Sequence, residues 1–262
     1  MTVHITQNIL ITGASSGIGR ALALYYAAEG HRLFLGGRNA ERLENAAQNC
    51  RALNAEVHTQ IIDTSAENIT HQWIVGIDKR YPLDLVIANA GISGGTAGLE
   101  PEEFTAQSSR IFDVNLMGVL NTIHPVLPRM AARRKGQIAL ISSLAGFAAY
   151  PGAPAYSASK AAVRFYGEAL RSKFAKENVR ISVVCPGFVR SRITDANDFP
   201  MPMLMETEKA ASIIAKNLAK DQGLIVFPWS MGMMARLIGL LPRVIRTRVL
   251  MRVPEKTSLQ KI

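Results

Sequence analysis

Cysteine is scarce in this chain, with only Cys50 and Cys185 among 262 residues. They form no CxxC pair, and one falls in an expected helix while the other ends an expected strand. A disulfide framework is therefore excluded, and two buried reduced thiols fit a cytoplasmic protein. The five histidines (His4, His31, His58, His71, His124) lack metal-ligand spacing, so no metal site is expected. Long uncharged apolar runs are missing as well. No stretch of about 18 apolar residues is free of charge, which argues against a transmembrane helix. Residues 1–7 are too short and too polar to read as a signal peptide. Low-complexity tracts and internal repeats are also absent, and 48% apolar residues exclude a disordered chain.

Acidic residues nearly vanish toward the C-terminus. Residues 229–262 hold seven Lys or Arg and one acid, Glu255, and so carry +6 of the formal +10. The remaining residues are close to neutral. Nucleic-acid binding is not expected, because no aromatic interleaving or binding motif accompanies the basic tail. Its mixture of arginine and apolar residues suits an interfacial helix lying on an anionic membrane. It suits a cover over a pocket or a partner subunit equally well. Pro242 is expected to break the tail into two helices.

Apolar runs rich in β-branched residues alternate with helix-period segments. The expected strands are Asn8–Thr12, Arg32–Gly36, Glu56–Ile62, Leu83–Asn89, Gln137–Ser143, Arg180–Cys185 and Leu224–Phe227. The expected helices are Gly17–Glu29, Ala40–Ala52, Ala66–Tyr81, Glu102–Arg133, Ala155–Lys176 and Thr207–Lys220. Such alternation implies an α/β fold: a single-domain, doubly wound parallel sheet of about seven strands flanked by helices. We expect 1–228 to form this Rossmann domain, with a substrate lid at about 188–206, and 229–262 to extend it.

Two patterns carry chemistry. The first strand runs into Thr12-Gly13-Ala14-Ser15-Ser16-Gly17-Ile18-Gly19 and then into a helix, the context that a dinucleotide-binding loop requires. Gly13 permits a left-handed turn, Gly17 lets the backbone approach a diphosphate, and Gly19 lets the helix pack closely. The helix N-terminus offers unpaired N–H groups and a positive dipole end to phosphate. The second pattern is Tyr156-x-x-x-Lys160 with Ser143 upstream. Residues four apart share a helix face. An ammonium beside a phenol is expected to lower the phenol pKa from about 10 toward the range useful for acid–base work.

Together with Asn89-Ala90-Gly91, Asn115 in Asp113-Val114-Asn115, and Pro186-Gly187, these motifs make the chain resemble the short-chain dehydrogenase/reductase family, in its compact single-domain branch. They fall in the family's order from about residue 8 to 195. The resemblance implies a catalytic tetrad. Tyr156 would exchange the proton, and Lys160 would lower its pKa and bind the nicotinamide ribose. Ser143 would polarise the substrate oxygen, and Asn115 would hold a water linking Lys160 to solvent.

The resemblance also implies cofactor contacts from Gly13, Ser15, Ser16, Gly17, Ile18, Gly19, Asn89, Ala90, Gly91, Pro186, Gly187, Val189 and Ser191, and from Asp63 at the adenine, with an N-cap for the helix after the third strand as the even alternative for Asp63. At the end of the second strand the acid that would hold a ribose 2′-hydroxyl is replaced by Gly37, followed by Arg38. A guanidinium pairs with a 2′-phosphate, so NADP(H) is expected over NAD(H).

The Met-rich lid (Met201, Met203, Met205, with Phe199) and Phe147 and Tyr150 point to a lipophilic ketone or secondary alcohol as substrate, and packing of those methionines against the core is an equal alternative. A non-catalytic nucleotide sensor on the same fold is the competing reading, disfavoured by the complete Ser143, Tyr156, Lys160 set. A sugar-nucleotide epimerase or dehydratase is a further one, whose glycines are spaced differently. Pairing through the two long central helices, as a homodimer or homotetramer, is expected by resemblance. Location at the inner face of a membrane is the expectation attached to the tail.

Overall fold

The computed structural model describes residues 6–195, 197 and 200–251. Seven strands form one sheet: β1 (Asn8–Thr12), β2 (Arg32–Gly37), β3 (Val57–Ile61), β4 (Leu85–Ala88), β5 (Gly136–Ile141), β6 (Val179–Pro186) and β7 (Leu224–Phe227). Their order is β3-β2-β1-β4-β5-β6-β7, and every pairing is parallel. The central strands are apolar throughout because helices cover both faces. Residues 9–12 of β1 and all of β4 and β5 are buried, whereas β3 at the edge exposes four of its five residues.

On one face lie α1 (Gly17–Ala28), α2 (Ala40–Arg51) and, later in the chain, α9 (Thr207–Ala219). Leu22, Leu43 and Ile214 reach the sheet from them. On the other face lie α3 (Glu67–Arg80), α4 (Pro101–Phe112), α5 (Gly118–Ile123), α6 (Leu127–Ala132) and α7 (Pro154–Lys173). Ile74, Ile123, Met130 and Val163 fill that second core. Local chemistry sets the helix starts. Asn39 accepts from Arg42 N at 2.8 Å to cap α2. Glu100 and Glu103 form a reciprocal box ahead of Pro101 at the start of α4.

The strands match expectation to within one or two residues at most ends. The expected helix Glu102–Arg133 does not form as one piece. A wide π turn, Asp113–Met117, separates α4 from α5, and Pro125 lies in the break between α5 and α6, whose first turn holds Pro128. Proline supplies no N–H and clashes with the preceding turn, so continuous helical periodicity cannot hold there. Both cysteines are buried free thiols.

A short helix, α8 (Arg192–Asp195), lies in the expected lid. The tail breaks at Pro242 into α10 (Trp229–Leu240) and α11 (Arg243–Leu250). Phe199 and residues 252–262 lie outside the described residues. No described helix is long and apolar enough to cross a membrane.

Candidate active site

The carboxyl ends of the strands open into one crevice of about 1040 Å³. Its nucleotide end is built by the β1–α1 loop. Gly13 and Gly17 have φ of +65° and +54°, a region that side chains with a Cβ disfavour. A Cβ on Gly13 would lie 2.9 Å from both Ala90 Cα and Asn89 Nδ2. Asn89 locks the loop to β4 by donating to Thr12 O (2.9 Å) and Gly13 O (3.2 Å). Thr12 Oγ1 accepts from the N–H groups of Asn89 and Ala90.

Gly13, Ser15, Ser16, Gly17 and Ile18 line the crevice, and Ser16 precedes α1 without a side-chain cap. Gly19 does not line it. A side chain there would strike Asn89 Nδ2 and the Gly13 carbonyl, so Gly19 serves the loop through packing. A bare backbone cradle ending on an uncapped helix N-terminus is what a dinucleotide diphosphate requires.

At the end of β2, Arg38 and Arg42 both line the crevice, with Asp63 facing them from β3. Arg38 Nη1 stands 3.7 Å from Asp63 Oδ2. Burial pushes the Asp63 carboxyl up. The Ser65 N–H and hydroxyl, at 3.0 and 2.8 Å, outweigh that with help from Arg38 and Arg110, and hold the group below the ordinary carboxylate range. The Asp63 side chain closes a turn with Ser65 and does not cap α3, which Ala66 precedes.

Tyr156, Ser143 and Lys160 converge at the centre of the crevice. Ser143 precedes a 3₁₀ turn, Leu144–Gly146, and its Oγ accepts from Ala145 N at 3.1 Å. Its side chain also acts on the Tyr156 phenol, favouring the ionised form. Lys160 is 4% exposed, and its Nζ donates to Ile141 O at 2.9 Å. Burial drives the Lys160 ammonium down to about 8, with Cys185 acting weakly the other way.

The expected lowering of the phenol pKa by Lys160 is not found. Burial pushes Tyr156 above its ordinary 10.0, and only the Ser143 hydrogen bond pulls it down. Desolvation outweighs an ammonium whose Nζ lies 5.9 Å from the ring centroid and is itself weakened by burial.

Asn115 is fully buried in the π turn. Its Oδ1 accepts from Ile92 N (2.8 Å), and its Nδ2 donates to Ile92 O (2.9 Å) and Ser159 Oγ (3.1 Å). Ser159 Oγ in turn donates to Tyr156 O at 2.8 Å. A methyl group on Gly91 would lie 3.2 Å from Asn115 Oδ1 and 3.4 Å from Lys160 Nζ, so these two groups face the same spot. A π turn at such a place fits the association of these turns with functional sites.

The structure draws Ser143, Tyr156 and Lys160 into one crevice with the glycine loop of β1–α1, residues far apart in the chain. The chain belongs to the short-chain dehydrogenase family. The family's short chain dehydrogenase model matches residues 7–199. An uncharacterized oxidoreductase of Myxococcus xanthus is 39% identical over 238 residues, which is 90% of this chain and 93% of that one. A 3-oxoacyl-(acyl-carrier-protein) reductase of Thermotoga maritima is 31% identical over 189 residues, covering 71% and 75% of the two chains. A short-chain dehydrogenase from Sphingobium yanoikuyae, solved in complex with NADPH, superposes with a TM-score of 0.78 at 25% identity, covering 95% of this chain and 96% of that one. This short-chain dehydrogenase is thus an NAD(P)-dependent oxidoreductase.

The remaining wall is apolar. Ile193, Pro200, Pro202, Met231, Met234 and Ile238 border the crevice beyond Tyr156. The methionines expected to do so do not. Met203 is exposed, Met205 packs against the sheet core, and Met201 receives Asn197 Nδ2 on its sulfur at 3.3 Å. Pairing with Val189 seats Met205 on the core, the alternative role for the lid methionines, and the methionines at the crevice are Met231 and Met234 of α10. Phe147 also lies outside the crevice, sandwiched near Arg164 and Arg236 with their guanidinium carbons 4.4 and 5.2 Å from its centroid. Tyr150, Pro186, Gly187, Val189 and Ser191 are at the crevice as expected.

Sequence reasoning missed Ser142, whose buried Oγ donates to Lys160 O at 2.7 Å, and Ser159. It also missed Arg42, one turn beyond Arg38. Neighbourhood to known motif residues was the one available signal for each.

Proposed function

We propose that this enzyme interconverts a lipophilic ketone and its secondary alcohol, preferring NADP(H), with Tyr156 as the acid–base group. The observation that carries the proposal is the convergence of Ser143, Tyr156 and buried Lys160 in one crevice, between the glycine loop and an apolar wall. The nicotinamide, when bound, supplies or accepts hydride. The residues of the chain supply everything else.

In reduction, the Tyr156 O–H delivers its proton to the carbonyl oxygen while the Ser143 hydroxyl donates to the same oxygen and stabilises its developing negative charge. In oxidation both roles reverse. A phenol that burial keeps protonated is suited to the donor role at neutral pH. Lys160 holds the ribose hydroxyls and adds positive charge beside the phenolate left after transfer.

Asn115 has spent both N–H bonds on Ile92 and Ser159 and keeps one acceptor site on Oδ1 near Lys160 Nζ. A water donating to that site completes a proton path from Lys160. The glycine loop and the start of α1 would hold the diphosphate, Asp63 would meet the adenine, and Ser191 and Val189 would meet the carboxamide. Arg38 and Arg42 supply charge for a 2′-phosphate. Apolar side chains from α8, residues 200–202 and α10 favour a substrate with a hydrocarbon body. A homodimer or homotetramer through α4 and α7 accompanies this reading.

The test is a screen of long-chain 3-oxo compounds, sphingoid-like ketones and steroids, following NADPH absorbance. Tyr156→Phe is expected to cut turnover by about a hundredfold or more, with NADPH affinity by fluorescence titration nearly unchanged. A Phe variant that turns over at the wild-type rate removes Tyr156 from its role.

A further inference from the structure

The helix that walls the substrate crevice is apolar on its other side too. Met231, Met234, Ala235 and Ile238 of α10 border the crevice. Trp229, Met233, Leu237 and Leu240 recur at helical spacing and are exposed to solvent, Trp229 to 72% and Leu240 to 82%. Arg236 is the single charged residue of α10. The next helix continues the surface with exposed Val244, Ile245 and Val249, and Met251 follows it. Its charges are Arg243, Arg246 and Arg248, and residues 229–251 contain no acidic residue. A surface helix ordinarily turns polar residues outward, so an apolar outer stripe marks a contact surface.

The chemistry of this patch selects its occupant. A tryptophan with seven further large apolar side chains, interspersed with arginines and free of acids, matches the headgroup region of a bilayer. There the apolar groups enter the acyl boundary, and the guanidinium groups meet phosphate. A second copy of this chain would bring the same arginines against themselves at a two-fold contact, where like charges repel.

We infer that α10 and α11 form a docking surface for a bilayer containing anionic phospholipid, which places the apolar wall of the crevice at the lipid surface. The inference rests on the lipophilic-substrate reading above only for what is delivered. A substrate dissolved in the acyl layer reaches Tyr156 past α10 without crossing water.

The test uses the full chain, because deleting the tail would also remove a wall of the crevice. Trp73→Phe leaves Trp229 as the only tryptophan. Its emission is expected to shift to the blue on addition of phosphatidylcholine vesicles containing phosphatidylglycerol, and not with phosphatidylcholine alone. Flotation at low salt is expected to recover about tenfold more protein with the anionic vesicles, with the difference lost at high salt. The Leu237→Glu/Leu240→Glu and Arg243→Glu/Arg248→Glu variants are each expected to stay unbound while retaining NADPH affinity.

Wild-type protein that fails to float with anionic vesicles overturns the inference. So does a dimer that the Leu240→Glu change dissociates in the absence of lipid, since it assigns the patch to a second copy. Vesicle binding without reductase activity on any ketone leaves the docking surface standing and defeats the proposed reaction instead.

Discussion

The strongest quantitative consequence concerns cofactor choice at Arg38. In the structure this side chain is 46% exposed and sits 3.7 Å from Asp63. A half-exposed pair at that separation is worth about 0–1 kcal/mol. A charge-assisted hydrogen bond to a phosphate contributes about 1.5–3 kcal/mol, with solvent exposure favouring the low end. Swinging Arg38 from Asp63 to a 2′-phosphate therefore gains about 1–2 kcal/mol, or roughly 5–30-fold in affinity.

Arg38→Ala is expected to lower the ratio of kcat/KM for NADPH to that for NADH by that factor, with the NADH value itself nearly constant. Steady-state kinetics with each coenzyme at one ketone concentration gives the ratio, and a thermal melt checks that folding is intact. A ratio within about threefold of wild type refutes the assignment. A drop in both values alike refutes it too, because it would mean that Arg38 shapes the adenine site without reading the phosphate. Arg42→Ala as a companion shows whether the second guanidinium shares the charge.

Three further outcomes are expected. Lys160, with a pKa of about 8, is charged below that pH and neutral above it. The kcat/KM for reduction should fall as pH rises through about 8, and Lys160→Arg should remove that fall while lowering the plateau. Asp78 is 2% exposed and holds Arg129, Arg133 and the Leu83 N–H. Asp78→Asn should cost about 2–3 kcal/mol, the solvent contact of both arginines keeping it below the value for a fully buried pair, and should lower Tm by about 5–10 °C.

Burial raises the Asp78 pKa, but the hydrogen bonds from Arg133, Leu83 and Arg129 outweigh it, and the net value is depressed. Its stabilising contribution is therefore complete above the unfolded carboxyl pKa of about 3.9 and disappears as pH falls through the lower folded value; urea titrations across pH 2–6 would show it. On α4 and α7, Phe104, Phe112 and Phe165 are exposed. Light scattering after gel filtration should give a dimer or tetramer, and Phe165→Glu should shift it toward monomer.

Much of the fold was legible because parallel strands buried on both faces leave apolar runs rich in β-branched residues, as in Asn8–Thr12 and Arg180–Cys185. The glycine loop was legible because left-handed turns and close backbone approach restrict residue type at Gly13 and Gly17. Helix periodicity misled at Glu102–Arg133, where the apolar spacing continues across Pro125 although the helical hydrogen bonds do not. The lid misled in the same way. Composition left Met201, Met203 and Met205 open between pocket wall and core packing, and the Val189–Met205 pairing decides it for Met205.

The sequence by itself determined the alternation of strands and helices, the nucleotide loop, and the set Ser143, Tyr156, Lys160 with its spacing, because each is a local demand of backbone geometry or helical repeat. Only the tertiary structure decided that Asn115, Ser159 and Ser142 brace that set, that α10 closes the substrate side, and that the Tyr156 phenol is held above its ordinary pKa. Those outcomes depend on burial and on contacts between residues tens of positions apart, and desolvation is a property of the assembled surroundings that no short stretch of chain encodes.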